Sequence, residues 1–171
     1  MNLIILDADG LIKLSKIDLV PLLAKSYSCI ITKEVFKETV EKGKKHFYED
    51  AFILEDYVNR GIVKVVAAKP VFKAKKLLQE VHSLGEGEKS TLCLFYTQNA
   101  LAIVSDDVAF LNLLNRHNIP YLTPANLILR LVELKKIFKQ EGLTALKKLR
   151  PYIRSSIYKL VKKELEVKRN E

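Results

Sequence analysis

Two runs of four apolar residues, each followed by acidic residues, constrain the fold of this chain more than any other feature. Leu3–Leu6 leads directly into Asp7, and Leu101–Val104 leads into Ser105 and then Asp106–Asp107. Neither run alternates apolar with polar residues, as a strand with one solvated face does. Each run therefore predicts a strand buried on both faces, which is typical of a parallel sheet covered by helices.

The rest of the chain alternates helical periodicity with shorter apolar runs. Ser28–Ile31, Ile62–Ala67 and Ile119–Leu122 predict three further strands, with helices between consecutive strands. This order predicts an α/β fold, a three-layer α/β/α sandwich with a central parallel sheet. The predicted helices are Leu11–Leu23, one capped by Thr32, Glu49–Asn59, Phe72–Val81, Thr91–Thr97, one from Val108, Pro124–Phe138 and Thr144–Glu166, the last interrupted at Pro151.

Basic residues are concentrated near the C-terminus. Residues 144–171 hold nine Lys or Arg and three Glu, and so carry +6 of the formal net charge of +9. We therefore divide the chain into a domain, residues 1–141, and a basic helical extension, residues 142–171. The charge favours a polyanionic partner, although a solvated basic helix has the same composition. The residues predicted to contact nucleic acid are Lys147, Lys148, Arg150 and Arg154.

The sequence carries no pattern for a zinc site, a disulfide framework or a membrane segment. Cys29 and Cys93 each lie in an apolar stretch, where cysteine packs as a small core residue. The three histidines have no metal-ligand spacing. The N-terminal apolar run is too short for export or for spanning a membrane, so we expect a cytoplasmic protein without membrane contact.

Four acidic residues follow the predicted strands or begin the helices beside them. Asp7 and Asp107 follow the two apolar strands, Glu38 lies on the helix after the second strand, and Glu88 lies in the first turn of a helix entered through two glycines. Because the carboxyl ends of parallel strands share one edge of the sheet, the four carboxylates can converge. Carboxylates without histidine suit Mg²⁺ or Mn²⁺ rather than zinc.

Each of these acids also has an ordinary structural explanation. Asp7 and Asp9 can cap the helix that follows them, Glu38 can be a solvated helix residue, and Glu88 can offset the helix dipole. The set is more specific than its members, because acids at the ends of two wholly apolar strands cost folding free energy twice.

The opening segment resembles that of PIN-domain nucleases. That family shows an apolar strand ending in Asp, a small polar residue two positions later and then a leucine-rich helix. Leu6–Ile12 follows this pattern, except that Asp9 stands where Ser, Thr or Asn is usual. The resemblance extends over about residues 1–130.

The other three acids of the PIN pattern also have counterparts in this chain. The second acid lies inside the helix after a strand and corresponds to Glu38 rather than Glu34. In one branch of the family the third acid follows glycine at a helix start, which is Glu88 here. The fourth follows a Ser or Thr by two positions, which selects Asp107 first and Asp106 second.

The resemblance implies a three-layer α/β/α fold and cleavage of RNA that depends on Mg²⁺ or Mn²⁺. Many PIN relatives are VapC-type toxins held inactive by an antitoxin, and many form homodimers, so both are expected partners. Beyond Asp107 the chain is closer to an uncharacterised prokaryotic branch, with Phe110 where an arginine is often seen. Ser105 either orients Asp107 or a water, or caps the next helix. The implied metal ligands are Asp7, Glu38, Glu88 and Asp107, with Asp106 and Asp9 as additional candidates.

Two other functions fit parts of the sequence. Asp7-Ala8-Asp9-Gly10 also resembles the first motif of haloacid-dehalogenase-type phosphatases, in which the first Asp is a nucleophile and the second an acid/base. Leu11 and the lack of a lysine shortly before Ser105 depart from that family. The other alternative is a non-catalytic protein that binds RNA or a protein partner on a PIN-like fold, since a fold does not establish a function.

Overall fold

Five parallel strands form a single sheet in the order β3-β2-β1-β4-β5. The computed structural model describes residues 2–80 and 84–167. The central strand, β1, pairs with β2 on one side and β4 on the other. The predicted parallel sheet is confirmed. The strands are β1 (Asn2–Leu6), β2 (Tyr27–Thr32), β3 (Val63–Val66), β4 (Ala100–Val104) and β5 (Tyr121–Leu122).

Helices cover both faces of this sheet, so the predicted three-layer sandwich is also confirmed. Ile4 and Leu6 pack into a hydrophobic cluster on one face, and Ile5 packs into a second cluster on the other. The described helices are α1 (Ala8–Ser15), α2 (Val20–Ala24), α3 (Lys33–Phe36), a π-helical stretch (Lys37–Lys42), α4 (Gly43–Lys45), α5 (Glu49–Asn59), α6 (Phe72–Leu78), α7 (Glu86–Thr97), α8 (Val108–Arg116), α9 (Pro124–Glu133), α10 (Lys139–Leu149), a 3₁₀ turn (Arg150–Tyr152) and α11 (Ser155–Val167).

Two helices are shorter than predicted, and each has a left-handed residue beyond its end. Asp18 has a φ of 56° and separates α1 from α2, so the single predicted helix over Leu11–Leu23 is wrong. Lys135 has a φ of 54°, and α9 ends at Glu133 rather than at Phe138. Left-handed backbone interrupts a right-handed helix, and apolar periodicity alone does not reveal it.

Further element bounds differ from the predictions. Helix α7 begins at Glu86, ahead of the apolar stretch Thr91–Thr97 that predicted it, because its first turn is polar. Glu88 lies in that first turn, as predicted. Strand β5 is only two residues long. Helix α6 ends at Leu78, and Val81, the predicted end of that helix, lies outside the described residues.

The two C-terminal helices pack against the core of the sandwich. Gly142, which lies between the predicted helices Pro124–Phe138 and Thr144–Glu166, is inside α10. A Cβ at this position would be 2.6 Å from Val132 Cγ2, so α10 packs closely against α9 here. Leu149 of α10 and Leu165 of α11 are buried in the same cluster as α9. Helix α10 therefore crosses residue 142, while the division of the chain into two domains there stays a prediction.

Strands β1 and β4 are neighbours at the point where the order of strands in the sheet reverses. From β1 the chain runs outward to β2 and β3, then returns to place β4 on the other side of β1. The Asp7 amide donates to Val104 O at 2.9 Å, and a Cβ on Gly10 would lie 2.6 Å from the same oxygen. Helix α1 thus begins in close contact with the end of β4. Open α/β sheets bind ligands at such a switch point.

Candidate active site

Asp7 is fully buried at the carboxyl end of the central strand. Ser105 Oγ donates a hydrogen bond of 2.8 Å to Asp7 Oδ2, but Oδ1 has no hydrogen-bond partner among the described residues. The side chain does not cap α1, so capping does not explain this acid. Burial raises the pKa of Asp7 to about 7, although the hydrogen bond from Ser105 lowers that pKa. Repulsion from Glu88 and Glu38 adds to the rise.

Glu38 and Glu88 approach each other across two helices. Desolvation raises the pKa of Glu38, and repulsion from Glu88 raises it further, while Lys42 acts in the opposite direction. Gly87 makes room for this approach, since a Cβ built on it would lie 2.9 Å from Glu38 Oε2. Together with Asp7, the two glutamates form one group of mutually repelling carboxylates, which we call the acidic cluster.

Glu38 lies on a helix that is not regular. It belongs to the π-helical stretch Lys37–Lys42, between α3 and α4. The sequence predicted an ordinary helix here and carried no signal for this change of pitch. Single π-helical turns inside α-helices occur frequently at functional sites. Repulsion from Glu38 contributes to the raised pKa of Asp7, while a buried oxygen of Glu34 has no hydrogen-bond partner among the described residues. The choice of Glu38 over Glu34 as the second acid stays a prediction.

Hydroxyl groups join the helices that carry the two glutamates. Thr32 Oγ1 accepts a hydrogen bond from Val35 N at 3.1 Å, as predicted for an N-cap, and lies 2.7 Å from Ser90 Oγ. Ser90 Oγ donates to Gly87 O at 2.9 Å, so the Thr32 hydroxyl is left as the donor to Ser90. The N-terminal ends of α3 and α7 are thereby fixed to one another. The sequence predicted the cap but not Ser90.

Asp107 lies beside the acidic cluster but is held by its own helix. Its Oδ1 accepts a hydrogen bond from Phe110 N at 2.7 Å and caps α8. Its amide donates to Ser105 Oγ at 3.2 Å, so Ser105 links the backbone of Asp107 to the carboxylate of Asp7. Ser105 therefore supports Asp7, and the cap of α8 is Asp107. The role of Asp107 as a metal ligand stays a prediction.

Lys13 is the main site residue that the sequence interpretation missed. Its Nζ lies 2.6 Å from Asp106 Oδ2 and 2.8 Å from Asp9 Oδ2, and its side chain is 16% exposed. Burial lowers the pKa of Lys13, but the two carboxylates outweigh it and raise that pKa overall. The signal was the spacing of four residues from Asp9 to Lys13 on one helix. Both additional candidate ligands are thus engaged by a lysine.

The donor set of the acidic cluster fits a hard divalent cation. All three side chains offer carboxylate oxygens, and Asp7 contributes a buried oxygen without a partner, which a cation would compensate. Over residues 2–80 and 84–167, no three His, Cys, Asp or Glu side chains are already grouped closely enough to hold a metal ion. The cluster needs to contract around a cation, which the repulsion among its members otherwise opposes.

The basic residues predicted to contact nucleic acid lie away from the acidic cluster. The ring of Tyr152, in the 3₁₀ turn between α10 and α11, contacts Lys16 Nζ at the end of α1, 5.3 Å from the ring centroid. Asp7 is at the other end of α1, about 13 Å away along the helix axis. The four predicted contacts, all exposed, are Lys147, Lys148, Arg150 and Arg154.

Comparison with known proteins identifies the family. A family profile described as a PIN domain matches residues 3–167, which includes α10 and α11. No curated protein matches the chain. In the parts of the chain that the structure describes, no helix is both long and apolar enough to cross a membrane. The family match, the parallel sheet and the acids at its carboxyl edge agree, and the chain belongs to the PIN-domain family, whose members are typically nucleases.

Proposed function

We propose that this protein is a divalent-metal-dependent ribonuclease that hydrolyses phosphodiester bonds in RNA. The observation that carries the proposal is Asp7, a buried carboxylate whose Oδ1 has no hydrogen-bond partner within the described residues. Burial raises its pKa to about 7, and repulsion from Glu88 and Glu38 adds to the rise. Burial and the neighbouring carboxylates disfavour the ionised form of Asp7, and a bound cation would stabilise that form. It lies at the edge of the sheet where parallel α/β proteins bind their ligands.

Each member of the site has a distinct part in this proposal. Asp7, Glu38 and Glu88 would hold Mg²⁺ or Mn²⁺, and Ser105 orients the Asp7 carboxylate through its hydrogen bond. Asp107 contributes through its remaining oxygen, either directly or through water. When bound, the ion supplies Lewis-acid polarisation of the phosphodiester and lowers the pKa of an attacking water. The carboxylates orient that water and accept its proton.

The substrate and the partners are proposed on grounds separate from the metal site. RNA is proposed as the substrate because the family consists typically of nucleases and the C-terminal surface is basic. The activity of a toxin, inhibition by an antitoxin and formation of a homodimer follow from the PIN resemblance alone and stay predictions. The phosphatase interpretation has no support, since the chain belongs to the PIN-domain family and Asp9 is paired with Lys13.

The test is cleavage of a mixed pool of structured and single-stranded RNAs in Mn²⁺, Mg²⁺ or EDTA. We expect cleavage with either metal, none in EDTA, and loss of at least 100-fold in Asp7→Asn and Glu88→Gln, since both remove a carboxylate from the acidic cluster. Glu86→Gln is the matched control, because Glu86 is in the same helical turn but pairs with Lys89 at the surface. It should cleave like the unmodified protein.

Two outcomes would count against the proposal. Cleavage that persists in EDTA or in Asp7→Asn would show that the acidic cluster is not the catalytic centre. Binding of RNA without cleavage, together with no rise in melting temperature on adding Mn²⁺, would favour the non-catalytic binding protein instead.

A further inference from the structure

We propose that Lys13 is a built-in counter-ion that confines the divalent cation to the acidic cluster, so that the site binds one metal ion rather than two. The proposal rests on the proposed metal site and goes beyond it, because it assigns the number of ions and the residue that sets it. Its basis is a contact between three charged side chains from two different parts of the fold.

The Lys13 ammonium occupies a position of the kind that a cation takes between carboxylates. Asp9 comes from the first turn of α1, whereas Asp106 comes from the segment between β4 and α8. Lys13 Nζ lies within 2.8 Å of an oxygen from each of them. The side chain of Asp106 is only 9% exposed, so this is not a pair between two solvated surface residues.

Lys13 divides the acids of this edge into two groups. Asp9 and Asp106 share its single positive charge, and Asp107 uses one oxygen to cap α8. In the parts of the chain that the structure describes, none of the three acids of the acidic cluster forms such a short ion pair with a lysine. A divalent ion would find these carboxylates uncommitted, whereas an ion between Asp9 and Asp106 would have to displace a lysine from two short ion pairs.

Removing the ammonium should open a second cation site. In Lys13→Met the aliphatic stem stays, but Asp9 and Asp106 lose their counter-ion and remain close together with uncompensated charge. Divalent cations then compete for that position. We expect the unmodified protein to bind one Mn²⁺ per chain and Lys13→Met to bind two, the second more weakly.

The experiment counts bound Mn²⁺ by isothermal titration calorimetry and by the loss of the free-ion electron paramagnetic resonance signal. Lys16→Met is the matched control, since Lys16 lies three residues further along the same helix and pairs with Asp50 away from the cluster. It should still bind one ion, as should Lys13→Arg, which keeps the charge. Lys13→Met combined with Asp106→Asn should return to one ion, because the vacated position has lost a carboxylate.

Different results separate this proposal from the proposed function. Two Mn²⁺ in the unmodified protein, or one in a folded Lys13→Met, would overturn the role of Lys13 while leaving the metal site intact. No Mn²⁺ bound to the unmodified protein would overturn both. Asp106→Asn alone gives a test that does not depend on the folding of Lys13→Met. This variant should still bind one Mn²⁺, with an affinity within about threefold of that of the unmodified protein. A loss of binding would make Asp106 a ligand and refute the proposal.

Discussion

An ionised Asp7 destabilises the cation-free fold, because its carboxylate is buried and one oxygen has no partner. Its pKa rises from the ordinary 3.8 to about 7, so the folded state holds a proton that the unfolded chain has already released. The free energy of unfolding should therefore fall as the pH rises from about 4 to 7 and level off above that. The full effect is at most ~4 kcal/mol.

Asp7→Asn should remove this pH dependence. In EDTA at pH 8 we expect the variant to be more stable than the unmodified protein by ~1–3 kcal/mol, since an amide stays neutral and its oxygen can still accept from Ser105. Urea unfolding at several pH values between 4 and 8 measures this directly. Asp56→Asn, at an exposed pair with Arg60, should shift stability by less than ~0.5 kcal/mol. An unchanged pH slope in Asp7→Asn would assign the titration to another group.

Gly87 controls the separation of the two glutamates more than it controls stability. In Gly87→Ala the new methyl group would lie 2.9 Å from Glu38 Oε2, and the flexible end of that side chain has to move. A helical alanine offsets the strain by up to ~1 kcal/mol, so the free energy of unfolding should change by less than ~1 kcal/mol. Affinity for Mn²⁺ should nevertheless fall about tenfold, because Glu38 is displaced.

Calorimetric titration with Mn²⁺ and urea unfolding of the same sample test the two halves of this prediction. Lys89→Ala, two residues further along α7 and paired with Glu86 at the surface, is the control and should bind Mn²⁺ normally. Unchanged Mn²⁺ affinity in Gly87→Ala would mean that Glu38 does not ligate the ion.

Among the elements, those built from continuous apolar runs were predictable from the sequence. The last three residues of β1 and of β4 are buried among other strands and helices, so a continuous apolar run predicts both the strand and its burial. Helix ends were less predictable. The break at Asp18 depends on a single backbone angle, which Asp adopts at little cost and which leaves no trace in the apolar periodicity.

The positions of two acids at the candidate site could be predicted from the elements that carry them. Asp7 directly follows the apolar run of β1, and Glu88 lies in the first turn of α7. The contacts of Lys13 with Asp106 and of Ser90 with Thr32 join residues that are distant in sequence and become neighbours only after the strands assemble. The sequence held a signal only for the pair of Lys13 with Asp9. The π-helical stretch was missed for a related reason. Its change of helical pitch depends on tertiary packing and not on the local helix propensity of its residues.

The helices α10 and α11 should unfold together with the rest of the molecule. Leu165 is fully buried in the cluster that also contains α9, so Leu165→Ala should lower the free energy of unfolding by ~2–4 kcal/mol. We expect one cooperative transition by both circular dichroism and tyrosine fluorescence. Val167→Ala, at a largely exposed position of α11, is the control and should change little. A two-step transition with the main step unmoved would make residues 142–171 an independent unit.

At the scale of the whole molecule, the acidic cluster and the basic C-terminal segment lie apart. The acidic cluster lies at the carboxyl edge of the sheet, at the N-terminal end of α1, and the basic segment around α10 and α11 lies beside the other end of that helix. In the proposed function, RNA bound at the cluster would bring its own negative charge to a region that repels it. We expect lysines and arginines beyond the cluster to compensate for that repulsion by contacting the flanking phosphates.

The combined substitution of Lys147, Lys148 and Arg154 by Gln should therefore weaken RNA binding and reduce its salt dependence. Three fewer phosphate contacts lower the slope of log K against log salt by about 2 for single-stranded RNA. Fluorescence anisotropy with a labelled RNA, with Asp7→Asn in the background to prevent cleavage, gives the slope between 50 and 200 mM salt, a range in which phosphate contacts dominate. The matched control replaces Lys73, Lys75 and Lys76 on α6, which packs on the opposite face of the sheet. Equal losses in both triple variants would mean that net charge, and not the C-terminal surface, attracts the RNA.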